Sequence, residues 1–352
     1  MNQLIWATFA IAIPLAAQPN RPLPDPLLKK ARIALRLDSG QILIVGGGIK
    51  GDNLISNSSS IQRFPKTVEY ARLQPGESIY ELPSGNMANF TFEPATPWHI
   101  GDRWKLYSGA GTPVTVTIRK LAVVLYCGGI GGYAAAIASF ESPDAANLVA
   151  SLQATEYLAA PGPGLAAVST TPLMRQTAEP AAALTELLRQ HGRAVVKDEE
   201  WMIPQANISK EFADRIRRMN RTFLTEVTVA PRIRYFRWRP PGRNPLLFVE
   251  ALWVDGDGTL PLFACDAVIE EGSELKVLSL LPTQGEYMRI GEFEHHAWKL
   301  EETNAFLNAW KIGGRYFVLL YRSGYEASSV ELMELVPGKG LVETGLGFGS
   351  GC

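Results

Sequence analysis

Apolar residues in this chain come mostly in short alternating runs, separated at close intervals by Gly, Pro, Asn and Asp. Ala31 to Val45 (ARIALRLDSGQILIV) holds two such runs on either side of Asp38-Ser39-Gly40, which predicts a β-hairpin. Further strand-like pieces follow at Thr67–Leu73, Ser78–Leu82, Asn89–Phe92, Arg103–Tyr107, Val114–Tyr126 and Tyr133–Phe140. Ser142 to Leu158 predicts a helix, because Ser142-Pro143-Asp144 places a cap and an early proline at its start. Two more helices are expected. One covers Ala181 to Gln190 and stops at Gly192; the other is capped by Ser209 and runs through SKEFADRIRRMNR. From Phe223 onward the pattern reads as strand almost throughout.

The first apolar run is of a different kind. Leu4 to Ala17 carries no charge and is too short to span a bilayer, which takes roughly 20 apolar residues. It has the length of a secretory signal core, and Ala16-Ala17 offers small residues for cleavage. Its flank lacks the usual basic residue, since the first is Arg21. The expected organisation is a signal peptide over 1–17, a Pro-rich linker over 18–28 and a β-rich domain over 29–160. An Ala/Pro linker over 161–180 then leads to an α+β domain with repeated β-meanders over 181–352. The fold class expected is mainly β with some α (α+β), built from antiparallel meanders.

Two meanders in the second half are alike. Ala251 to Leu280 and Asn308 to Leu335 each run strand, tight turn, strand, turn, strand; Leu121 to Leu152 is a looser copy. Val254-Asp255-Gly256-Asp257-Gly258 followed by LPLFACDAV resembles a degenerate FG-GAP or VCBS-type propeller repeat, and GGRYFVLLYRSGYEASSVELMEL is similar to the same repeat with its aspartates lost. ARIALRLDSGQILIVGG with TVEYARLQPGESIYELPSGNM resembles a kelch blade. The resemblance covers about a third of the chain and implies a binding or scaffold propeller rather than an enzyme. Thr259, Leu260 and Pro261 stand where the FG-GAP calcium loop needs another oxygen ligand, so that loop's calcium is not implied.

Composition narrows the function classes. Net charge is −1, which sets up no global field toward nucleic acid or an anionic membrane, and no later run is long enough for a membrane span. Cys127, Cys265 and Cys352 allow at most one internal disulfide, too few for a disulfide framework. Gly46, Gly48 and Gly51 spell G-x-G-x-x-G, with Glu69 near the ribose-acid spacing. The segment DNLISNSSS that follows carries no helical stripe to hold a pyrophosphate, so no cofactor is expected. Asp255 and Asp257 are weak metal candidates, because a type I′ turn explains Asp-Gly-Asp-Gly without a cation. His295 and His296 are adjacent and would point to opposite faces of a strand; His99 and His191 show no ligand spacing.

The most unusual local composition is Pro231 to Arg243 (PRIRYFRWRPPGR). Arg232, Arg234, Arg237, Trp238 and Arg239 are the candidate ligand-binding residues, since arginines interleaved with aromatics grip anionic groups. The competing account is a strand with a solvated arginine face and a buried aromatic face, with some of its arginines and those of the preceding helix paired with acids at Glu211, Asp214, Glu226 and Glu250. No catalytic motif is present. The sequence therefore points to an exported (secreted or periplasmic) non-catalytic binding or scaffold protein, with a protein or an anionic glycan as ligand. The alternative is a secreted hydrolase acting on glycans or peptides. Titration with NAD or FAD should give no saturable fluorescence change; a saturable one would restore the dinucleotide reading of Gly46–Gly51.

Overall fold

The structure, a computed structural model, describes residues 26–37, 39–49, 62–63, 78–81, 92–93, 98–109, 112–126, 131–152, 155–165, 168–169, 171, 173–178, 180–198, 210–225, 231–254, 261–282, 305–323 and 327–351. The chain is mainly β and antiparallel, with three α-helices among the described residues. The expected segment Thr67–Leu73, the signal run 1–17 and the cap Ser209 lie outside the described residues.

Six strands close on themselves: β1 (Arg32–Arg36), β2 (Ile42–Ile49), β6 (Arg103–Tyr107), β7 (Val114–Tyr126), β8 (Gly131–Phe140) and β9 (Glu156–Pro161). The order β7-β6-β9-β1-β2-β8 returns to β7 through the β7–β8 hairpin, giving an antiparallel barrel. Short strands β3 (Gln62–Arg63), β4 (Ser78–Glu81) and β5 (Phe92–Glu93) extend its rim. The β1–β2 hairpin forms where the alternation places it. Leu37 and Gln41 close the turn, and Gly40 takes the left-handed φ of 78° that the turn demands. Every strand of the barrel contributes to one interior cluster, which includes Ile42, Ile44, Trp104, Val116, Val123 and Tyr157. Barrel width grows with strand number, so six strands enclose little room. Ala134, Ala136 and Ala138 on β8 match that limit. Gly46 does so too: a Cβ there would meet the Trp98 ring at 2.7 Å.

Helix α1 (Pro143–Ala150) follows β8, with Ser142 accepting from Ala145 N–H as its cap. The predicted helix ends earlier than Leu158, because Glu156–Pro161 is needed as β9 between β1 and β6 to close the barrel. Val149 enters the barrel core, and Arg36 Nη1 donates to the Val149 carbonyl at 2.8 Å. Burial pushes the Tyr157 phenol up to about 12. The copy of the meander expected at 121–152 is thus the β7–β8 hairpin followed by α1.

Two further sheets stack on the barrel. The expected linker 161–180 supplies their first edges, β10 (Val168–Ser169) and β11 (Met174–Arg175). β11 begins the order β11-β12-β13-β14-β15, formed with β12 (Arg232–Trp238), β13 (Leu246–Val254), β14 (Pro261–Glu271) and β15 (Leu275–Pro282). β10 begins the order β10-β16-β17-β18-β19, formed with β16 (Ala305–Ile312), β17 (Arg315–Ser323), β18 (Ala327–Val336) and β19 (Gly340–Gly351). One face of the β16–β19 sheet (Leu307, Trp310, Phe317, Leu319, Leu332) shares a core with the barrel wall. Its other face (Phe306, Val318, Leu320, Met333) packs on Trp238, Leu246, Phe248 and Val268 of the β12–β15 sheet. The far side of that second sheet is covered by α2 (Ala182–Asp198) and α3 (Lys210–Thr225) through Leu184, Leu188 and Phe223.

Helix α2 does not stop at Gly192; it continues through it to Asp198. The glycine serves packing rather than termination. A Cβ at 192 would lie 2.6 Å from the Phe263 ring, which stacks on Phe223 at 4.8 Å. Gly192→Ala would add about 1 kcal/mol of helix propensity but force an overlap costing about 1–3 kcal/mol, and Phe263 is fully buried and held between Phe223 and Trp253. The overlap should win. We expect a net loss of up to about 2 kcal/mol, read as a lower urea midpoint; a higher midpoint would contradict this packing.

Candidate functional site

The arginine-aromatic segment forms β12, but strand alternation does not give the expected arginine face and aromatic face: Arg234 shares a face with Phe236 and Trp238, and Arg237 shares one with Ile233 and Tyr235. Phe236 and Trp238 face the β16–β19 sheet, while Ile233 and Tyr235 face the helices. Trp238 is completely buried. It meets Tyr316 edge-on at 5.9 Å and Phe248 at 6.1 Å, so it is a core residue of the sheet stack.

The arginines are largely occupied by carboxylates from neighbouring strands. Arg234 stands opposite Glu250 in the β12–β13 register and donates to its Oε2 through Nε. Arg237 donates through Nε at 2.7 Å and through Nη2 to Glu271 Oε2, and this contact raises the guanidinium pKa. Arg243 donates to Glu270 at 2.8 Å and lies 5.1 Å from the Tyr316 ring centroid. Arg232 and Arg239 are exposed at the two ends of the strand, and the Arg239 carbonyl accepts from the Thr171 hydroxyl. The positions explain the composition. β12 is covered by β11 only at Phe236 and Arg237, so it is nearly an edge strand, and charged side chains keep such an edge from pairing with another chain. The pairings Arg234–Glu250 and Arg217–Asp214 were legible as acids near arginines in sequence. Those with Glu270 and Glu271 were not, because they depend on the β13–β14 register returning these acids beside β12.

The most heavily buried acids lie at the centre of the same sheet. Glu250 and Asp266 are cross-strand partners on β13 and β14, each with 1% of its surface exposed. Two facing carboxylates suggest hydrolytic chemistry at first sight, but the geometry assigns Glu250 a different task. Its Oε1 accepts the Phe306 N–H at 2.8 Å, at the start of β16, and its Oε2 takes Arg234. Both oxygens are therefore engaged, and the group joins the two sheets beneath the surface. The same construction recurs at the barrel. Asn308 Nδ2 donates to the Glu156 carbonyl at 3.0 Å, and Trp310 Nε1 donates to the Tyr107 carbonyl at 3.1 Å. Arg315 and Glu334 make a further forked pair across β17 and β18.

The remaining candidates are placed as follows. Gly46 and Gly48 sit within β2, where strand continues through Ile49, and Gly51 lies outside the described residues. Asp255, Asp257, His295, His296, Cys127 and Cys352 also lie outside them. Cys265 is buried on β14 as a free thiol whose pKa is pushed well up by burial and by Asp266. His99 is exposed in the turn before β6, near Asp102. Among the described residues no three His, Cys, Asp or Glu side chains converge on a metal position, and no helix is long and apolar enough to cross a membrane. Comparisons with protein families, curated proteins and solved structures found no match to this chain.

Two substitutions separate a buried peg from a surface pair. Glu250→Ala strands Arg234 and the Phe306 N–H inside the stack and should cost about 3–5 kcal/mol. Arg237→Ala removes a contact whose side chains are about a third exposed, 32% and 30%, and should cost under about 1 kcal/mol. Urea unfolding checks the ranking; equal losses would remove the distinction drawn here.

Proposed function

We propose that this chain is an exported, non-catalytic binding or scaffold protein, secreted or periplasmic, whose ligand is an anionic glycan or another protein. One observation carries the reading: the buried charged groups act as connectors between layers. Glu250 joins the β12–β15 sheet to β16, with Arg234 on one oxygen and a backbone amide on the other. Catalytic carboxylates need access to substrate and a proton to exchange, whereas Glu250 has neither a free oxygen nor an exposed one. The filled barrel supports the same conclusion, since Trp98, Trp104 and Tyr157 occupy its interior and leave binding to outer surfaces.

Kinship of the meanders to propeller repeats belongs to this proposal. Its support is that β12–β15 and β16–β19 are each four-stranded antiparallel meanders and pack face to face, as neighbouring blades do. Export rests on the uncharged run Leu4–Ala17. N-terminal sequencing of the protein from its native host should find a start near Gln18 in an extracytoplasmic fraction. An intact Met1 in the cytosol would reject export. Turnover of a glycan or peptide panel that is lost in Glu250→Gln, with the fold retained, would favour the hydrolase instead.

A further inference from the structure

We draw no further inference here: the strongest candidate, the outer edge of β19 at the end of the β10-β16-β17-β18-β19 sheet, pairs with β18 alone among the described strands, and nothing in the structure shows what covers its other side.

Discussion

The central strands β16 and β17 of the β16–β19 sheet are covered on both faces, and the neighbouring layers are arranged around that constraint. A sheet with one wet face alternates apolar and polar residues; one covered on both sides must be apolar at every position. β16 and β17 nearly meet that demand, with Ala305, Phe306, Leu307, Ala309 and Trp310 on one strand and Phe317 to Leu320 on the next all buried; the buried polar exception is Asn308. Bulges at Phe306/Asn308 and Leu332/Met333 re-aim the alternation so that each face meets its own neighbour. The C-terminal strands therefore join the barrel's core, although they follow it by more than a hundred residues, as the Asn308–Glu156 contact shows.

Burial on both faces leaves polar groups little access to water, and several of them are matched to partners of defined geometry, although the Trp238 and Trp253 indole N–H groups are buried without one among the described residues. Glu250 takes a backbone amide and an arginine, Asn308 and Trp310 reach main-chain carbonyls of the barrel, and Arg315 forks onto Glu334. Such bonds add modest net stability but cost heavily when one partner is lost. Their value here is registration. Hydrophobic layers alone would tolerate sliding past one another, whereas a hydrogen-bonded peg admits one alignment.

The same economy of charge separates the two arginine-rich segments. On β12, Arg234 takes Glu250 of the adjacent β13 and Arg237 reaches Glu271 at the end of β14, and the charges serve the sheet and guard its edge. On α3, Arg217, Arg218 and Arg221 are exposed, and Arg217 pairs with Asp214 of its own helix.

Much of the fold was legible from the chain alone. The mainly β, antiparallel class, the β1–β2 hairpin, the Arg103–Tyr107 strand and the Ser142 cap follow from alternation, turn residues and capping, all of which act over a few residues. The places where local reasoning stopped short are those decided by distant partners. Glu156 to Pro161 follows a helical pattern yet becomes a strand, because the barrel has a gap between β1 and β6 that only it fills. Gly192 looks like a helix end and is an opening for Phe263. Sequence left the arginines of β12 open between a ligand face and an acid-paired strand, and the β12–β13 and β13–β14 registers bring Glu250 and Glu271 to Arg234 and Arg237. Sequence determined the elements because periodicity and turn chemistry are local. Tertiary structure decided which charges are spent inside and which remain outside, because that depends on the order in which the layers stack.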